Sequence, residues 1–400
     1  MIVSRWAFAL AEFFINSARG TLLLALGMYL YKETGGLWAL TANVVLEFTV
    51  TLALQGFAGA FVDRFGGKRI LYFALVTSIL ITLLGAFTVS WHLVLTLTAV
   101  IQVLNAFKPF IRNSVFTLVS TVAADGNFEK VNAHLSIALQ AGQILGMAMA
   151  GVLIAFGSVP LTLYFVALMF FCSFMSLVVM FTFMPKQEKG EQKQNNGSWS
   201  EAFAFVTGNT KARVILLVAS FDFAAIALFN LMLAPVVKLN FDDNPIWLTA
   251  LDLSFAVGAI LAGFLVSKWA LMHKHFYSAF SLSGAVLVYL TFAYDLHYAF
   301  VLAAIVFFGV FITYSTVFWG SELQRLSPTN IKGRISSLRY ISNASCVTLT
   351  TLIVSALHNF SFFYAALGSV GVCALMLAIA LFFSLRYPLA TKPEGQLSAA

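Results

Sequence analysis

The chain has 400 residues, 60% of them hydrophobic and 10% charged, with a mean hydropathy of +0.91. No soluble globular core needs so much apolar surface, and the net charge of +7 is spread over short loops between apolar runs, where positive-inside topology explains it better than a nucleic-acid partner does. The three cysteines, Cys172, Cys346 and Cys373, all fall inside apolar runs, which argues against a disulfide framework and against a metal site.

Backbone in lipid must satisfy its own hydrogen bonds, so the apolar runs are expected to be helices. They predict about 12 spans of roughly 20 residues or more. The first covers Trp6 to Tyr31 and is long enough to remain as a span, so no removable signal peptide is expected. The next five are expected at Trp38 to Val62, Ile70 to Val89, Trp91 to Ile111, Ala133 to Phe156 and Leu161 to Met184. A polar stretch from Arg112 to Lys130 separates the fourth from the fifth. The run from Pro185 to Ser198 is the one long hydrophilic, low-complexity segment, and it reads as a flexible linker. Six further spans follow, at Val214 to Val237, Ile246 to Val266, Phe276 to Tyr294, Tyr298 to Gly320, Ile335 to Leu357 and Phe362 to Leu385. The expected fold is all-α and polytopic, with a six-helix half over 1–184, a linker over 185–213, a second half over 214–386 and a tail over 387–400. Basic residues, from Arg5 through Arg64, Arg112 and Lys130 to Arg334 and Lys392, fall on one side of this arrangement; Lys32 and Lys238 fall on the other. That imbalance puts both termini and the linker in the cytoplasm.

The stretch from Gly59 to Leu71 lies between the second and third runs. Gly59 permits close helix approach, Gly66 and Gly67 permit a tight turn, and Lys68 and Arg69 mark a cytoplasmic loop. Gly59, Asp63, Arg64, Gly66 and Lys68 resemble the signature loop of the major facilitator superfamily, which runs Gly-x-x-x-Asp-Arg-x-Gly-Arg-Arg/Lys; Gly67 stands where that family prefers Arg. Looser likenesses to the branch containing macrolide efflux proteins and the enterobactin exporter lie at Thr34-Gly35 with Ala39-Leu40, at Phe107-Lys108-Pro109, at Asn127 to Ala133 and at Gly333-Arg334. The resemblance implies two six-helix halves rocking about a central site, with Asp63 and Arg64 helping to latch a cytoplasmic gate. The halves echo each other: Glu12 with Asp222, Glu47 with Asp252, and the stretch around Gly59 with that around Gly263. Gly146 to Gly151 is similar to the superfamily's antiporter signature, with Met147 in place of its Pro.

Ionisable groups inside spans are costly and face cavities or partners. Glu12, Asn16 and Arg19 stand at i, i+4 and i+7 on one face of the first span. Glu12 and Arg19 are separated by about 10.5 Å of helix rise. Their alternatives are a structural ion pair between helices or a lining of the central cavity. Glu12, Glu47, Asp222 and Asp252 are the candidates for proton coupling, since a carboxylate in a low-dielectric cavity can exchange a proton at physiological pH. Lys108, beside Pro109, is expected to snorkel to the interface; with Arg19 it could instead make the cavity electropositive and suit an anionic substrate. Gln140 and Gln143 share a face of the fifth span with Ser136, while Gly142 and Gly146 form a small-xxx-small pair for helix packing. Some of the 41 phenylalanines must line the cavity, which favours an amphiphilic ligand. The histidines have no metal-ligand spacing, and no phosphate-cradling glycine loop is present, so neither a metal nor any other cofactor is expected and ATP is not the expected energy source. The expectation is a non-enzymatic, monomeric transporter of the cytoplasmic membrane whose partners are lipid, protons and a small molecule. It exports a siderophore-like metabolite or a macrolide-like drug by proton antiport. Uptake or lipid flipping in the same fold, and a membrane sensor that transports nothing, are the alternatives.

Overall fold

The computed structural model describes residues 2–22, 25, 29, 38–123, 126–156, 158–184, 197–242, 245–268 and 276–386. Thr34-Gly35, Lys32, residues 185–196 of the expected linker, the loop holding Lys274 and the 387–400 tail lie outside the described residues. Among the described residues all regular structure is helical. The helices are α1 (Ile2–Thr21), α2 (Trp38–Phe65), α3 (Gly67–Thr88), α4 (Leu93–Val122), α5 (Phe128–Phe156), α6 (Val159–Thr182), α7 (Trp199–Gly208), α8 (Thr210–Asn240), α9 (Pro245–Lys268), α10 (Tyr277–Ala293), α11 (Tyr298–Leu326), α12 (Lys332–His358) and α13 (Phe362–Arg386). Seven are long and apolar enough to cross a membrane by length and composition alone. A soluble helix hides its apolar face, whereas here Phe57, Phe73, Phe87, Leu349 and Leu352 point outward over the surface that lipid would cover. The protein is an all-α polytopic membrane protein.

Several boundaries differ from the sequence expectation, among them the end of the tenth span, where α11 runs past Gly320 to Leu326. Helix α4 does not end at Ile111 but runs on to Val122. The polar residues there can stay helical because Thr117 Oγ1 and Ser120 Oγ donate back to the carbonyls of Asn113 and Thr117, at 3.0 and 2.6 Å. Helix α5 starts at Phe128 rather than Ala133. Within 185–213, residues 199–208 form α7, capped by Ser198 Oγ accepting from Glu201 N at 3.0 Å, and α8 begins at Thr210 under an Asn209 cap.

Small residues bring the helices together. A side chain at Gly142 or Gly146 would run into the backbone carbonyls of Phe13 and Ser17, so α1 and α5 touch backbone to backbone. Thr21 Oγ1 adds a hydrogen bond across this contact, to Gly146 O at 2.9 Å. The buried apolar side chains gather into two clusters. One draws on α1 and α3 to α6, with Phe8, Leu71, Leu75, Leu97 and Leu163 at its centre. The other draws on α7 to α13, with Phe229, Tyr289, Phe292 and Phe308, and takes Phe116 of α4 as well.

Two seams join α1–α6 to α8–α13. In the first, α2 runs antiparallel to α12 with Gly59 against Gly333, so close that a Cβ on Gly333 would lie 2.5 Å from Gly59 O. In the second, Gly263 of α9 faces Ile137 and the Ala133 carbonyl of α5. The two glycines that echo each other in the sequence thus make the same kind of contact in the two seams.

Candidate substrate path and gate

Between the two groups of helices, α1, α2, α4 and α12 bring charged side chains together. Glu12 on α1 is buried and forms an ion pair with Arg112 of α4. Asn16, one turn on, ties both: its Nδ2 donates to Glu12 Oε1 at 3.0 Å, and its Oδ1 accepts from Arg112 Nη2 at 3.0 Å. The partner of Glu12 is therefore Arg112, a residue the sequence placed in a cytoplasmic loop, and not Arg19. The extension of α4 explains this, because Lys108 and Arg112 then stand at i and i+4 on one helical face. Lys108 Nζ pairs with Glu47 Oε1 of α2 at 2.8 Å, with both side chains half-buried, rather than snorkelling to the interface. Arg19 is half-buried and lies within electrostatic reach of Glu12, Glu47 and Arg112, yet among the described residues no carboxylate pairs with it. Gln140 and Gln143 are half-buried on α5.

The carboxylates of the second half sit differently. Asp222 of α8 is wholly buried; its Oδ2 accepts from Ser315 Oγ of α11 at 2.5 Å and from Ser278 Oγ of α10 at 3.3 Å. Trp319 Nε1 donates to the same Ser278 hydroxyl at 2.5 Å. Ser281 of α10 is a third hydroxyl beside this carboxylate, and among the described residues no cation pairs with Asp222. Asp252 on α9 is half-buried. The echoed carboxylates Glu12 and Asp222 thus stand in opposite environments, one salt-bridged and one held by hydroxyls alone.

At the signature loop, Asp63 reaches across the first seam. Its Oδ1 accepts from Gly333 N at 2.5 Å, and its Oδ2 from Arg334 N and Arg334 Nη1 at 3.0 and 2.9 Å. A carboxylate at the first turn of α12 also meets the positive end of that helix. Two turns back along α2, Gln55 O accepts from Ser337 Oγ at 2.6 Å, and Asn113 bridges Gln55 and Ser337 at 3.2 and 2.9 Å. The second seam carries Asn132 Nδ2 on Ser321 Oγ and Gln324 Oε1, at 2.9 and 2.7 Å. The other members of the loop serve their own half. Lys68 Nζ lies 4.3 Å over the Phe181 ring, Arg64 packs 5.2 Å over Phe65, and Arg69 is exposed. Gly66 takes φ 84°, a left-handed conformation that favours glycine, and a side chain on Gly67 would crowd the Ser114 carbonyl at 3.1 Å. Sequence reasoning did not place Arg112, Arg334, Asn113, Asn132 and Ser337 in this site; Arg334 and Asn132 stood in the looser family likenesses, and the i, i+4 spacing of Lys108 and Arg112 was the signal for a third.

Two helical groups, a charged centre between them and a carboxylate latch at one end define a membrane transporter rather than an enzyme. The Major Facilitator Superfamily pattern matches residues 8–351, and the chain belongs to that family. A protein of Bacillus subtilis (strain 168) named as a bacilysin exporter, BacE, is 23% identical over 321 residues, 79% of each chain. Among solved structures, the human organic anion transporter MFSD10 matches with a TM-score of 0.74 at 13% identity, over 95% of this chain and 98% of that one. A bacterial homologue of the iron transporter ferroportin, in an outward-facing state, matches at 0.71 with 16% identity, over 96% and 100% of the two chains.

Proposed function

We propose that this protein is a secondary active exporter of a small amphiphilic molecule, working by alternating access and proton antiport. The observation that carries the reading is the first seam, where the two helical groups meet through glycine, the Asp63 carboxylate latch and the hydrogen bonds of Gln55, Asn113 and Ser337. Parting such an interface would leave the first cluster intact and take only Phe116 of α4 out of the second. The halves are then residues 1–184 and 214–386, joined by 185–213, with 387–400 as a tail. Export is supported by the likeness to proteins named as bacilysin exporters. We assign the membrane as the cytoplasmic one and the working unit as a monomer.

Among the four acidic candidates, Glu12 and Glu47 already have basic partners in Arg112 and Lys108. Asp222 has only hydroxyls, so its charge has to come and go with a proton. We therefore assign the coupled proton to Asp222, with Asp252 as a second carboxylate on the same half.

The test uses inverted membrane vesicles with an imposed proton gradient, acid inside, and bacilysin, a macrolide and a siderophore as candidate substrates. Wild-type protein is expected to drive uptake of one of them into the vesicles. Asp222→Asn should abolish gradient-driven uptake while keeping substrate exchange in the absence of a gradient. Uptake driven only by the opposite gradient would make the protein an importer, and full gradient-driven uptake by Asp222→Asn would remove the proton from that residue.

A further inference from the structure

We propose that Trp319, Ser278 and Ser315 form a hydrogen-bonded relay that reverses when Asp222 takes up a proton, with Trp319 as the positioning residue that favours the ionised carboxylate. The inference rests on the assignment of the coupled proton to Asp222 and adds what governs that proton. It starts from three helices meeting at one place. Asp222 of α8, Ser278 of α10 and Ser315 and Trp319 of α11 are all buried. Ser315 and Trp319 stand at i and i+4, on one face of α11. Trp319 Nε1 lies 2.5 Å from Ser278 Oγ, Ser278 Oγ 2.7 Å from Ser315 Oγ, and Ser315 Oγ 2.5 Å from Asp222 Oδ2. A longer contact of 3.3 Å joins Ser278 Oγ to the same Oδ2. Buried helical serines commonly donate to the carbonyl one turn back, as Ser283 and Ser321 do here at 2.8 and 2.6 Å. Among the described residues, Ser278 and Ser315 donate to no carbonyl.

The hydrogens in this chain can be counted. An indole N–H only donates, while a hydroxyl has one hydrogen and two lone pairs. Ser278 must therefore accept from Trp319. An ionised carboxylate only accepts, so Ser315 then gives its hydrogen to Oδ2 and Ser278 gives its own to Ser315. Every hydrogen points from the indole toward the charge. With a proton on Oδ2 the order turns round: Oδ2 donates to Ser315, Ser315 donates to Ser278, and Ser278 turns to Oδ2 along the longer contact. Each close contact still holds one hydrogen. No group of the relay is stranded in either state, which a buried carboxyl that gains and loses a proton requires.

The two states differ for the indole. In the ionised state the bonds run one way and polarise one another. In the protonated state Ser278 accepts from both sides and the run is broken. Trp319 therefore supports the charged form, since hydrogen bonds that favour a charged group make it easier to ionise. Other titratable side chains on the helices packed against α8 include Asp252 of α9, Tyr289 of α10, Tyr314 of α11, Arg339 of α12 and Cys373 of α13, and none is bonded to Asp222. Tyr289 Oη donates to Ala225 O at 2.8 Å, and Arg339 lies over the rings of Phe116 and Phe223. The groups that act on the carboxylate are the hydroxyls of Ser315, Ser281 and Ser278.

The test follows the carboxyl C=O infrared band of Asp222 through a pH titration of the full-length protein in lipid nanodiscs. Loss of the band in Asp222→Asn identifies it. Trp319→Phe keeps a ring against Phe318 and removes the N–H donor, while Ser278→Ala cuts the relay at its middle. Each should raise the pH at which the band disappears by roughly half a unit or more. Ser278→Thr, which keeps the hydroxyl, should stay closer to wild type than Ser278→Ala. A purely structural Trp319 would lower the unfolding temperature and leave the midpoint in place. In the wild-type protein, one of the seven tryptophan indole N–H resonances should shift with the same midpoint as the band. A midpoint unmoved or lowered in both Trp319→Phe and Ser278→Ala, or no indole resonance that follows the band, would each overturn the relay. The indole measurement needs no variant, so a variant that fails to fold does not spare the proposal. Midpoints that move as expected in a protein without gradient-driven uptake would sink the exporter reading alone. Gradient-driven uptake with unmoved midpoints would sink the relay alone.

Discussion

Asp63 satisfies three donors at once, two of them backbone N–H groups at the start of α12. Hydrogen bonds to a charged group each contribute about 1.5–3 kcal/mol, so Asp63→Asn should weaken the closed seam by about 2 kcal/mol or more. Transport is expected to fall at least tenfold while protein abundance in the membrane stays near wild type; transport at the wild-type rate would reduce the loop to a topological signal. The type and place of Asp63 were legible in the sequence, because the charge stands where an apolar run stops. Its partner was not, since Arg334 lies 271 positions away and the likeness seen at Gly333-Arg334 names no contact with Asp63. The same holds at the centre. Glu12, Asn16 and Arg19 do share a helical face, as their spacing requires, but pairing across helices selected Arg112. The polar stretch from Arg112 to Lys130 reads as a loop because composition cannot distinguish a helix buried against polar neighbours from a loop in water.

The helices themselves were the most legible part, because a bilayer-spanning segment is a matter of length and composition. How they pack was only partly legible. Gly142 and Gly146 were expected at a helix contact, and they are; that the contact is with α1, and that Phe13 and Ser17 supply carbonyls to it, depends on the fold. Gly146→Leu would force side-chain atoms against the Ser17 backbone, and overpacking of this kind costs about 1–3 kcal/mol. Fluorescence-detected size-exclusion chromatography should show a smaller monodisperse peak. Gly371→Ala on α13 is the control: a Cβ there meets nothing within 4 Å. It should leave the peak unchanged or raise it, because alanine is the better helix former.

At the scale of the molecule, the basic loops predict one orientation. In a chain with Cys172, Cys346 and Cys373 replaced by alanine, cysteines introduced at Asn195 and Asn244 are expected to react with a membrane-impermeant maleimide from opposite faces. Asn195 should be reached only from the cytoplasmic face; labelling of both from outside would reverse or break the topology. The internal repeat was faint in the sequence and plain in the seams. Gly59 meets α12 and Gly263 meets α5, yet only the first seam has Asp63 beside it. The repeat has kept the close approach in both seams and the charged latch in one.

The contact between Gly59 and Gly333 has a consequence for the balance of conformers. A methyl group at either position would be penalised only while α2 and α12 are together, and would cost nothing once they separate. A penalty of 1.4 kcal/mol alters the ratio of two states about tenfold. These two glycines thus form a lever on the resting population, through which one added carbon could bias the transporter toward the conformer with this seam parted.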